Sequence, residues 1–76
     1  MKLKKRNWST EQWTTAFRRY LDDDRAEVVT KGDMLGILRV KKHSDVVDNC
    51  LAEIGAVGEK YLPLIQVAEY FSQHQV

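Results

Sequence analysis

The stretch Thr30–Gly55, TKGDMLGILRVKKHSDVVDNCLAEIG, constrains this chain more than any other. It reads as two short helices joined by a basic turn. Thr30 and Asp33 have the spacing of an N-cap and its reciprocal acid, which predicts a helix from Lys31. Met34, Leu35 and Leu38 form its apolar face. Ser44 predicts the cap of a second helix, because its hydroxyl can accept from a backbone N–H that has no partner within the helix. Val47, Cys50, Leu51 and Ile54 then fall at i, i+3, i+4 and i+7, and Gly55 supplies a stop that tolerates positive φ. Gly32 and Gly36 lie inside the first helical pattern, where their expected role is close helix packing.

Length and composition bound the rest. Seventy-six residues make one small domain. Such a chain buries only about 60% of its unfolded surface, so its core is thin and an oligomer is favoured. With 43% hydrophobic and 30% charged residues, it has the composition of a soluble globular protein. It has no apolar run near about 18 residues, so no membrane span is expected. The basic start MKLKKRN is not followed by the apolar stretch of a secretory signal. One cysteine excludes an internal disulfide framework and fits a reducing, cytoplasmic setting.

Net charge is +1, but it is unevenly spread. Residues 1–43 hold 11 Lys/Arg and 6 Asp/Glu, and residues 44–76 hold 1 and 5, giving +5 and −4. Such a dipolar chain can turn one face toward an anion, or pack against a copy or a relative.

Residues 1–7 read as a flexible basic arm, and residues 8–76 as the single domain. Ser9 and Gln12 predict a capping box for a first helix, with Trp8 and Trp13 at the spacing of a hydrophobic staple. Trp13, Ala16, Phe17, Tyr20 and Leu21 continue its apolar stripe. Asp22, Asp23 and Asp24 oppose the helix dipole at its end and predict a solvated turn. They lack the spacing and glycine of a calcium loop. Glu27–Thr30 predicts one brief strand. Gly55 and Gly58 bracket a turn, and Tyr61, Leu62 and Leu64 extend beyond it. Pro63 confines any strand there to an edge. Leu64, Val67, Ala68 and Phe71 predict a last helix, ending near Gln73.

Helix, strand, helix, turn, helix, tight hairpin, helix is the order of a winged helix. The segment TKGDMLGILRVKKHSDVVDNCLAEIGA, followed by GEKYLPLIQVAEYFSQH, resembles small winged helix-turn-helix domains of phage and mobile-element proteins. These include excisionases, MerR-type domains and the DNA-binding domains of terminase small subunits. The resemblance spans about residues 28–74 and is one of pattern, with no catalytic signature. It implies a mostly α fold: a winged helix-turn-helix with four short helices and a minimal β-hairpin wing. It also implies duplex DNA as the partner, held by the turn and the start of the following helix.

The residues give that expectation both support and opposition. Arg39, Lys41 and Lys42 precede a helix N-terminus, a good place to meet phosphate, and Ser44 lies beside them. Lys60 at the wing tip and Lys4, Lys5 and Arg6 in the arm add candidate backbone contacts. Asn49 faces outward and can pair with adenine. Asp45, Asp48 and Glu53 share that outward face, and the helix has no Lys or Arg to offset them. An acidic helix on a domain with a basic other half suits protein pairing. The alternative expectation is therefore a modulator that pairs with a terminase small subunit or related DNA-binding protein, as packaging-redirecting proteins of phage satellites do. Trp8, Trp13, Tyr20, Asp48, Glu53, Tyr70 and Phe71 are its candidate interface, in a homo- or hetero-oligomer.

An enzyme is not expected. His43, Ser44 and Asp45 are sequence neighbours, whereas triad members converge from separate segments. Two histidines and one cysteine lack the spacing of a zinc site, no phosphate loop is present, and no cofactor is implied.

Overall fold

The computed structural model describes residues 8–39 and 45–74. In chain order these form α1 (Thr10–Tyr20), β1 (Val28–Val29), α2 (Lys31–Leu38), α3 (Asp45–Glu53), β2 (Leu62–Pro63) and α4 (Leu64–His74). The fold is mostly helical, with one two-stranded antiparallel sheet.

Local chemistry sets the helix ends. The Ser9 hydroxyl accepts from the Gln12 N–H at 3.2 Å, and the Gln12 side chain accepts from the Ser9 N–H at 2.8 Å. Trp8 meets Trp13 edge-on, with centroids 4.8 Å apart, which closes the staple. After Leu21 the chain turns, and the Asp23 N–H donates to the Arg18 carbonyl at 3.0 Å. The three aspartates lie beyond the helix, exposed. Thr30 and Asp33 form a second capping box, at 3.1 and 2.9 Å. Arg39, in the left-handed region at φ 56°, ends α2. Ser44, the expected cap of α3, lies outside the described residues.

The end of α3 is a Schellman turn. The Ala56 N–H donates to Leu51 at 2.8 Å, and the Gly55 N–H to Ala52 at 3.3 Å. Leu51 and Ala56 are both buried, giving the apolar contact that accompanies this turn. Gly55 sits at φ 70°, with open space where a Cβ would lie. Gly55→Ala therefore brings backbone strain without a clash, and should cost about 1 kcal/mol. Thermal unfolding followed by circular dichroism should show a midpoint lower by about 4–8 °C. An unchanged midpoint would mean that this turn does not form.

The sheet departs from expectation. Residues 55–61 form turns and bends, not a hairpin. Leu62–Pro63 pairs instead with the distant Val28–Val29, in the register Val28↔Pro63 and Val29↔Leu62. Burial explains the choice. Val29 and Leu62 both point into the core, and a local hairpin would leave both without that cover. Pro63 donates no bond, and the next N–H, that of Leu64, reaches the Glu27 carbonyl at 2.9 Å.

One core joins these elements. Trp13 and Phe17 from α1 meet Phe71 from α4, with centroids 5.0 and 5.7 Å from the Phe71 ring. Val29, Met34, Val47, Cys50, Leu51, Ala56, Leu62, Leu64, Val67 and Ala68 complete it. A Cβ at Gly36 would collide with the Tyr20 hydroxyl, the tip of a half-exposed side chain, so Gly36 makes room for that ring and not for a neighbouring backbone. A Cβ at Gly32 would meet only Thr30 Oγ1, at 3.7 Å, so Gly32 serves no such packing.

Candidate functional site

The outer face of α3 carries Asp45, Asp48, Asn49, Ala52 and Glu53, all exposed. Val47, Cys50 and Leu51 hold the opposite face in the core. The helical angle between residues divides the outer face into two flanks. Asp48 lies on the flank nearer α2, where Lys31 Nζ is 3.0 Å from its carboxylate. Both side chains are about half exposed, so water screens the pair and its contribution is small. Even so, the pair offsets one of the three acids that oppose a polyanion. Lys31 is 17 positions earlier in the chain, where no local pattern links it to Asp48.

Val46, Asn49 and Glu53 lie on the other flank. On α4 the Tyr70 ring stacks on His74, with centroids 4.0 Å apart and planes 26° from parallel. The Tyr70 phenol is pushed up from its usual value, chiefly by desolvation and then by Cys50 and Glu53. Of the expected interface residues, Tyr70 has His74 as its ring partner, through i, i+4 spacing on one helix, a signal that was present in the sequence.

Two other interface expectations are corrected. Trp13 and Phe71 have no exposed surface and belong to the core, because the thin domain needs its largest rings inside. They cannot touch a partner in this fold. Trp8 is half-buried, and Tyr20 is 49% exposed.

Among the expected DNA contacts, Asn49 is exposed on α3 and Arg39 is exposed at the end of α2. Lys60 is exposed beside Tyr61, its Nζ 5.5 Å from the ring centre. Lys4, Lys5, Arg6, Lys41, Lys42 and Ser44 lie outside the described residues. The division changes the charge picture. Residues 8–39 and 45–74 hold six of the twelve Lys and Arg and all eleven Asp and Glu, a net charge of −5. Residues 1–7 and 40–44 hold the other six cations and no acid.

Among the described residues no group of three or more His, Cys, Asp and Glu could hold a metal. None of their helices is long and apolar enough to cross a membrane. No protein-family model, curated protein or solved structure matches the chain.

Proposed function

We propose that this protein is a small DNA-binding regulatory or architectural factor of a phage or mobile genetic element. In this reading the domain is a helix-turn-helix of the winged type, resembling excisionases and terminase small subunits. Its wing is reduced to the turns of residues 55–61. Support for the motif comes from α2 and α3, which are joined by six residues and followed by α4 beside the small sheet.

The segregation of charge carries the proposal. Duplex affinity comes from neutralised phosphates, and the acidic body of −5 repels a duplex. The six cations at positions 2, 4, 5, 6, 41 and 42, with Arg39 and Lys60, are what can hold one. The arm and turn then bind the backbone, while α3 touches the groove lightly through Asn49. Duplex binding should weaken steeply with salt, with a slope of about −5 to −7 for six to eight phosphates. Lys41→Ala or Lys42→Ala should each reduce that slope by about one. Absence of duplex binding by the full chain at low salt would sink this reading.

The acidic outer face of α3 favours a second reading. Here the protein pairs with a DNA-binding protein such as a terminase small subunit and redirects packaging or recognition. Failure to bind DNA alone, with nuclease-resistant capture of one partner from the host, would select it.

A further inference from the structure

One face of α1 stays outside the core. Trp8, Glu11, Gln12, Thr15, Ala16 and Arg19 line a groove of about 650 Å³ along it. Glu11, Gln12, Thr15 and Arg19 are exposed, while Trp8 and Ala16 are half-buried. Trp8 is backed by the Trp13 ring at 4.8 Å between centroids. Thr15 and Ala16 are small, so the middle of the groove lets another helix come close. Glu11 and Arg19 stand at its two ends, about 12 Å apart along the axis at 1.5 Å per residue. Among the described residues neither makes an ion pair. Arg18 differs, because its Nε already donates to the Ala26 carbonyl at 3.0 Å.

Thr15 lies midway between Glu11 and Arg19 in the chain. Turning a second copy by half a revolution about a line through Thr15 sets its α1 antiparallel to the first. That operation exchanges the two ends, so each Glu11 comes opposite the other copy's Arg19. The flanking charges follow the same rule. The chain enters α1 from Lys4, Lys5 and Arg6 and leaves it into Asp22, Asp23 and Asp24. Charge therefore reverses sign across Thr15, which makes the face complementary to itself. The antiparallel pair also opposes the two helix dipoles, whereas a parallel pair would set Glu11 against Glu11.

We propose that the outer face of α1 is the interface of a two-fold homodimer. The α1 helices run antiparallel, with Thr15 on the axis and a Glu11–Arg19 pair on either side. A helix about 16 Å long covers well under the roughly 800 Å² per partner of a stable complex, so the dimer is weak. Arg39, Asn49 and Lys60 lie outside this face, so the inference stands or falls apart from the DNA reading.

Sedimentation equilibrium of the full chain, from about 10 μM to about 1 mM, tests it. The native chain should approach the dimer mass at the upper end, with less dimer at high salt. Glu11→Arg alone and Arg19→Glu alone should each weaken association at least about tenfold, because each sets like charges together at both contacts. An equimolar mixture of the two variants should associate again, since one then presents two arginines and the other two glutamates. A merely destabilised helix would not be rescued by mixing. Both positions are exposed, and circular dichroism reports whether the helices persist in each variant. A monomer at every concentration would overturn the proposal. So would single variants that associate like the native chain, or a mixture no more associated than its components.

Discussion

Trp13→Ala should remove a large share of the protein's stability. Trp13 has no exposed surface and meets Trp8, Phe17 and Phe71 at centroid distances of 4.8, 6.1 and 5.0 Å. Its ring is the joint between α1 and α4. Truncating a buried aromatic to alanine costs about 3–5 kcal/mol, since the neighbours cannot collapse into the space. A domain of this length has only about 4–11 kcal/mol in total. The urea midpoint should therefore fall by about 3 M, at a slope near 1 kcal/mol per M. Trp8→Ala, at a half-buried position, should cost clearly less. If the two variants unfold at the same midpoint, the aromatic joint is not organised around Trp13.

The second large effect comes from Cys50. Its thiol is fully buried, and burial pushes it up from 9.0 to about 12. The folded state thus favours the protonated thiol more than the unfolded state does. The resulting stability is fully present below pH 9, the unfolded value, and is lost as pH rises through about 12. The whole span corresponds to about 4 kcal/mol, of which about 2–3 kcal/mol should be gone near pH 11. Urea unfolding of the native chain and of Cys50→Ala, at about pH 8 and pH 11, isolates this contribution from the other titrating groups. The native chain should lose more stability than the variant. Equal losses would mean that the thiol is solvated in the folded state. The same burial makes Cys50 slow to react with thiol reagents at neutral pH, at a rate set by unfolding.

The legible parts of the fold were those written over three to seven residues. Ser9 with Gln12 and Thr30 with Asp33 announce their capping boxes because each bond closes within one turn. Gly55 announces the Schellman turn because only its neighbours supply the partners. The stripe Val47, Cys50, Leu51 gives the buried face of α3 by the same local periodicity. Residues 55–63 read as a hairpin because glycine spacing is local, whereas strand pairing is not. Val28–Val29 competes for Leu62–Pro63 from more than thirty residues away, and wins because Val29 and Leu62 are buried together.

The candidate surfaces divide the same way. The outward acids of α3 follow from helical period, and the basic arm and turn follow from composition. The sequence alone determined the helices, the capping boxes of α1 and α2 and the two charge clusters, because each depends on residues within one turn or one short run. Only the tertiary structure decided which charges and rings meet. Lys31 reaches Asp48, and Trp13 and Phe71 leave the surface for the core. Those outcomes depend on how α1, α2, α3 and α4 cover one another. That packing is fixed by shared burial of apolar faces, which no residue carries by itself.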